Sequence, residues 1–236
     1  MSEFHTPRIA IMASGSGSTA EAFIHATQDG RVDAEVGLVV CNNPPGKAGI
    51  YERVARLNGQ YGLDIEMAHI SGRTHPDGKV GRGQTLAESE AICKKISYGG
   101  FAHVALMGYM KVIRGDLMDE YGYDPELHLS PYEARMSNTH PGPNPETADK
   151  FGIQCSAEVI RLRLRISKHI VFMVTLGIDQ GPIIAEHPVE VRPDDTPETL
   201  FDRVQTTEKA ALPYALDRLL KNQAAYNDPS LHLPIS

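Results

Sequence analysis

Along this chain, short apolar runs alternate with stretches in which apolar residues recur at three- and four-residue spacing. Ile9-Ala10-Ile11-Met12-Ala13 is a continuous apolar run of strand length, and positions 18–25, behind a Gly/Ser turn, carry helical spacing. Positions 36–41 form a second run. Pro44, Pro45 and Gly46 punctuate it before a helical stretch at 47–57, which Asn58-Gly59 is expected to stop. A third strand is expected at 65–70, a helix at 86–96, and a fourth strand, Val104-Ala105-Leu106-Met107, ending at Gly108. This alternation predicts an α/β fold, a doubly wound and mostly parallel sheet with ligands at the carboxyl ends of its strands.

The second half is less regular. Arg161, Arg163 and Arg165 alternate with Leu162, Leu164 and Ile166, which reads as a strand with one wet face in preference to an anion site. Positions 171–174 and 182–191 read as extended, and 197–220 as a long amphipathic helix. A single domain at 7–221 and a peripheral C-terminal tail at 222–236 follow. The polar, glycine-rich stretch 71–84 reads as a mobile loop, while 116–136 has no clear period.

Composition narrows the function classes. With 236 residues, 41% of them hydrophobic, the chain can build one sizeable core. A net charge of -7 argues against a surface that tracks nucleic-acid phosphates or anionic lipid, so neither a nucleic acid nor a membrane is an expected partner. Cys41, Cys93 and Cys155 are odd in number and far apart, giving neither a disulfide framework nor a zinc pattern, and no metal is expected. The N-terminal Met1-Ser2-Glu3-Phe4-His5 lacks a basic region followed by an apolar one, and no apolar run is long enough to cross a bilayer. A soluble, cytoplasmic protein is the expectation.

Three segments carry candidate chemistry. Gly15-Ser16-Gly17-Ser18-Thr19-Ala20 follows the first strand and opens a helix, so its backbone N–H groups could approach a phosphate. The second strand ends in Cys41-Asn42-Asn43 and not in an acid, which disfavours a dinucleotide site, and no lysine closes the turn as a Walker loop requires. A monophosphate cradle remains, beside the plainer reading of a tight turn. In Asn138-Thr139-His140-Pro141, an extended backbone puts Asn138 and His140 on one face, where Asn can donate to an oxyanion and His can shuttle a proton. Thr175-Leu176-Gly177-Ile178-Asp179-Gln180-Gly181-Pro182 supplies one carboxylate, which is expected to raise the histidine pKa if it lies nearby, or else simply to form a turn.

Five blocks in order resemble the folate-dependent glycinamide ribonucleotide formyltransferases: residues 11–18, Leu106-Met107-Gly108-Tyr109-Met110-Lys111, Asn138-Thr139-His140-Pro141, Ile178-Asp179-Gln180-Gly181-Pro182-Ile183-Ile184, and Arg203-Val204-Gln205-Thr206-Thr207-Glu208. The third and fourth mark the wider formyltransferase superfamily; the last points to the ribonucleotide branch. The resemblance implies a Rossmann-like single domain that moves a formyl group from 10-formyltetrahydrofolate, as co-substrate, to the amine of glycinamide ribonucleotide in purine synthesis. It implies catalytic roles for Asn138 (oxyanion), His140 (proton) and Asp179 (tuning the histidine). Gly15, Gly17, Ser18 and Thr19 would meet the substrate phosphate, and Gln205, Thr206, Thr207 and Glu208 its ribose and amine end. Met110, Lys111, Val112 and Ile113, mainly through backbone groups, would line the folate pocket with Thr175, Leu176, Gly177, Ile178, Asp179, Asn138 and Arg82. A homodimer is compatible with this picture. The family usually follows its histidine with Pro-Ser-Leu-Leu-Pro, whereas Pro141-Gly142-Pro143-Asn144-Pro145-Glu146-Thr147 follows here, and Thr19 and Phe172 stand where the family has Asn and His. A related enzyme using another acceptor, such as an amino sugar or water, is the alternative, and a nucleotide-binding module without catalysis is a third reading.

Overall fold

The computed structural model describes residues 6–77, 83–143 and 145–227. Seven strands form one sheet: β1 (Arg8–Ala13), β2 (Glu35–Cys41), β3 (Glu66–His69), β4 (His103–Leu106), β5 (Met136–His140), β6 (Ile166–Met173) and β7 (Ile183–Glu190), in the order β3-β2-β1-β4-β5-β6-β7. The pairs from β3 across to β5 are parallel, while β5 with β6 and β6 with β7 are antiparallel. The doubly wound expectation is therefore met, with the strand order reversing between β1 and β4, where the loops leaving both strands meet.

The pleat of β1 sorts its side chains into two cores. Ile9, Ile11 and Ala13 pack with α1 (Ser18–Gln28), α2 (Ile50–Tyr61) and α6 (Pro197–Tyr226) on one face. Ala10 and Met12 pack with α3 (Leu86–Tyr98) and α4 (Asp116–Tyr121) on the other. β1, β2 and β4 are thus covered on both faces, which is why they read as unbroken apolar runs.

Several expectations needed correction. α2 does not stop at Asn58-Gly59 but continues to Tyr61, ending on a left-handed Gly62. Asn58 instead clamps the chain entering β3, its Oδ1 accepting from Ile65 N at 3.1 Å and its Nδ2 donating to Ile65 O at 3.0 Å. The Arg161-to-Ile166 alternation is not a strand. Arg161 ends α5 (Ile153–Arg161), Leu162 caps it, Arg163 turns the chain at φ 56°, and β6 begins only at Ile166. Val159 is fully buried against Leu200, Val204 and Val189, so tertiary packing of a helical face overrode a short period-two pattern.

α6 runs on to Tyr226, past Leu220 and into the segment read as a tail. Asn222 Nδ2 donates to Tyr132 Oη at 3.2 Å and Gln223 Nε2 donates to Ala134 O at 2.5 Å, fastening the end of α6 to the stretch before β5. That stretch, without clear period in the sequence, holds α4 and a single 3-10 turn at Pro131–Glu133. Of the loop expected at 71–84, residues 78–82 lie outside the described residues, and so does Arg82. Its first part is tied down: Thr74 N donates to Ser71 O at 2.9 Å and Thr85 Oγ1 to His75 O at 2.7 Å.

Candidate active site

The Gly/Ser turn joins β1 to α1. Gly17 adopts φ 75°, and a Cβ there would lie 2.2 Å from the Ile50 side chain, so glycine is required for conformation and for close packing of α2. No side chain caps α1, which leaves the first N–H groups of the helix open to an anion. The turn is braced from outside by Asn43 Nδ2, which donates to Ser14 O at 2.6 Å, and by Arg53 Nε, which donates to Ser16 O at 2.9 Å. Arg53 and Arg56 are both paired with Glu21 on α1. The chain around this turn is also tied to the loop after β4, since Met110 N donates to the buried Ser14 Oγ at 2.8 Å and Ser14 N donates to Gly108 O at 3.1 Å.

At the end of β5, Asn138 and His140 alternate as expected and border one cavity of about 690 Å³ together with Asp179. Asn138 Oδ1 accepts from Thr139 N at 2.9 Å, so its amide NH2 is the end left for the cavity. Asp179 reaches the site from the β6–β7 loop at φ 53°, a left-handed conformation that aspartate tolerates better than most residues. Two residues on, a Cβ at Gly181 would lie 1.6 Å from Met173 O, so only glycine lets this loop fold back onto β6.

His140 is buried, with Nδ1 3.7 Å from Asp179 Oδ2. On its other side, Nε2 lies 3.0 Å from Thr147 Oγ1. That hydroxyl donates its single proton to Pro143 O at 2.6 Å and therefore accepts from His140 Nε2–H. The neutral imidazole thus carries its proton on Nε2 and presents Nδ1 as the base. The expected upward pKa shift is overturned: loss of hydration on burial holds His140 below the usual imidazole range, and Asp179 opposes this without reversing it. Cys155 Sγ also lies 3.6 Å from Nε2, but burial pushes this thiol up to about 12, so it is no nucleophile at neutral pH.

The opposite wall comes from α6. Phe201, Gln205 and Glu208 line the cavity at helical spacing. Thr206 and Thr207 do not: their hydroxyls donate back to Asp202 O and Arg203 O in the preceding turn, at 2.8 and 3.1 Å. Glu208 is only 7% exposed, so it is not a solvated helix position. Burial raises its pKa against the opposing hydrogen bonds of Thr19 and Thr139. Thr19 alone of the Gly15, Gly17, Ser18, Thr19 set borders the cavity, with the glycine turn beside it.

Much of the remaining lining is apolar. Met110, Lys111, Val112 and Ile113 line the cavity together with Val174, Thr175, Leu176, Gly177 and Ile178. Two backbone groups of the 110–113 segment already have protein partners: Met110 N–H donates to Ser14 Oγ, and Val112 O accepts from Gln84 N at 2.9 Å. Lys111 has its ammonium paired with the fully buried Glu88. Thr147 and Cys155, which lie against His140, were not expected at the site and nothing in their local pattern marks them; Thr139 lay inside the expected block but was given no role. Among the described residues, no cluster of three His, Cys, Asp or Glu side chains could hold a metal ion.

Comparison with known proteins places this geometry in context. The formyl transferase family model matches residues 152–216. The chain is 28% identical to phosphoribosylglycinamide formyltransferase of Bacillus subtilis, over 90% of this chain and 94% of that protein. It is 29% identical, over 89% of its length, to the trifunctional purine biosynthetic protein adenosine-3 of Gallus gallus, spanning only 18% of that relative. The crystal structure of phosphoribosylglycinamide formyltransferase from Bacillus halodurans superimposes with a TM-score of 0.73 at 29% identity, covering 90% of this chain and 95% of that one.

Proposed function

We propose that this chain, which belongs to the formyl transferase family, is a phosphoribosylglycinamide formyltransferase that passes the formyl group of 10-formyltetrahydrofolate to the amine of glycinamide ribonucleotide. The observation that carries the reading is the meeting of Asn138, His140, Asp179 and Glu208 around one cavity bordered by an uncapped helix N-terminus. In this reading the ribonucleotide phosphate sits at the first turn of α1, and Gln205 and Glu208 hold its amine end. The folate lies between the 110–113 and 174–178 walls.

The chemistry requires a neutral amine to attack the formyl carbon, a tetrahedral oxyanion to be stabilised, and a proton to be handed on. The Asn138 amide donates to the oxyanion, and His140 Nδ1 takes up and returns a proton. Thr147 and Asp179 hold the imidazole from its two sides, so the ring need not reorient as its charge changes. The three cysteines are free and buried, in keeping with a cytoplasmic protein. A homodimer is compatible with this reading, and sedimentation measures it.

The test is purified protein with 10-formyltetrahydrofolate, followed for loss of the formyl group with and without glycinamide ribonucleotide. Turnover that depends on the ribonucleotide is expected, and His140→Ala or Asn138→Ala should lower it by roughly 100-fold with the fold retained. The loop 141–147 favours one second reading, the same transfer to another amine or to water. Formyl loss that is indifferent to the ribonucleotide would select it.

A further inference from the structure

The side of β5 opposite Asn138 and His140 carries a connected line of hydrogen bonds that the proposed chemistry leaves unexplained. Thr139 Oγ1 lies 3.3 Å from Glu208 Oε1 and 2.6 Å from His169 Nε2 on β6. His169 Nδ1 lies 3.2 Å from Nδ1 of His187, its direct cross-strand partner on β7, and the two rings are nearly parallel, 16° apart, with centroids 5.3 Å apart. Glu208, at the inner end, is buried beside the cavity, and His169 is fully buried. His187, at the other end, is half-exposed on the outermost strand of the sheet.

Counting protons gives this line a direction. A threonine hydroxyl and a neutral imidazole each carry one. With Glu208 ionised, His187 Nδ1–H donates to His169 Nδ1, His169 Nε2–H donates to Thr139, and Thr139 donates to Glu208. With Glu208 protonated, every bond reverses: Glu208 donates to Thr139, Thr139 to His169 Nε2, and His169 Nδ1–H to His187. No atom need move more than a proton's length to pass between the two states. Burial pushes the His169 pKa down to about 3, so this ring carries a proton in transit and does not hold one in excess.

We propose that Thr139, His169 and His187 form a proton path between the buried Glu208 carboxyl and solvent at the outer edge of the sheet, by which Glu208 ionises when the acceptor ammonium fills the cavity and is reprotonated when the neutral product leaves. This rests on the reading of Glu208 as the group that meets the acceptor amine. Before the acceptor binds, Glu208 is protonated and the line stands in the second of the two states. The Glu208 proton moves to Thr139, the Thr139 proton to His169 Nε2, and the His169 Nδ1 proton to His187 Nδ1. The resulting His187 imidazolium releases its Nε2 proton to water, which leaves Glu208 ionised against the ammonium; when the product leaves, the same hops run inward from water and restore the second state, with atoms and charge balanced. The proton that the amine itself loses passes to His140 Nδ1.

Two measurements test this on the full chain. In ligand-free protein with 15N-labelled histidine and 13C-labelled glutamate carboxyls, the tautomer of His169 should switch from Nδ1–H to Nε2–H with the same midpoint at which Glu208 ionises. A tautomer that stays fixed through that ionisation overturns the path, and this arm needs no variant. In turnover, His187→Ala should lose about 10-fold and recover most of it with added imidazole, while Thr139→Val should lose a similar factor with no recovery, since its break lies inside the protein. Wild-type turnover in both folded variants overturns the path. Coincident midpoints in a protein that does not formylate glycinamide ribonucleotide would support the path and reject the acceptor assignment.

Discussion

Asp179 Oδ2 faces His140 Nδ1 across 3.7 Å, yet burial and not this carboxylate decides the proton affinity of the imidazole. The carboxylate works against a larger loss of hydration. Asp179→Asn should therefore lower the His140 pKa further, because removing a negative charge leaves the cost of charging the buried ring unopposed. The acidic limb of the rate profile should move to lower pH as turnover falls. Rates across pH in the two proteins check this; an unmoved limb would assign Asp179 to the turn alone.

Thr147 fixes which nitrogen of His140 is the base. Thr147→Val keeps the shape of the side chain but removes the acceptor for Nε2–H, so the ring loses its tautomer preference. We expect kcat to fall about 10-fold with the KM for folate unchanged, and Thr147→Ser to recover most of it. Equal activity in the valine variant would show that Thr147 merely packs.

The two glycines of the phosphate turn should separate folding from binding. Gly17→Val meets Ile50 and an unfavourable φ, so it should destabilise the whole protein. Gly15 has open space around its Cα. Gly15→Ala should keep the melting temperature but weaken binding of the phosphate-bearing acceptor about 10-fold by crowding the first turn of α1, with folate binding unaffected. Separate titrations of the two ligands decide it.

Because Glu208 is buried with two hydroxyl partners, its replacement by alanine would cost stability as well as function. Glu208→Gln is the cleaner probe. It should retain folding and folate affinity while lowering ribonucleotide-dependent turnover by roughly 10-fold or more, since an amide cannot ionise to hold the ammonium of the acceptor. Circular dichroism, folate titration and steady-state rates together would expose a purely structural role.

His103 is fully buried beside Ser137, its Nε2 2.8 Å from Ser137 Oγ, and burial brings its pKa down to about 3. The unfolded chain takes up a proton here below the ordinary histidine pKa, whereas the folded chain does so only near pH 3. Stability contributed by the neutral ring is thus present above about pH 6.5 and is lost as pH falls towards 3. Near pH 5, His103→Gln should flatten the rise of unfolding free energy with pH by about 1.4 kcal/mol per pH unit. Denaturant unfolding at a series of pH values measures this.

Local patterns in the sequence were enough to set β1, β2, β4 and the turn into α1, because strands buried on both faces must be continuously apolar and a sharp turn onto a helix needs glycine. Asn138 and His140 could be paired for the same reason: the two-residue period of a strand acts over neighbours in sequence. Burial of Glu208, the reversal of the His140 shift and the partners of both could not be read this way. Thr147 reaches His140 through a loop whose backbone follows no periodic rule, and His169 reaches Thr139 only because β6 runs antiparallel beside β5 in one register. Hydration is lost to whatever surrounds a group in space, so tertiary packing alone decided that the His140 imidazole is held below its ordinary pKa and that the Glu208 carboxyl is held above its own.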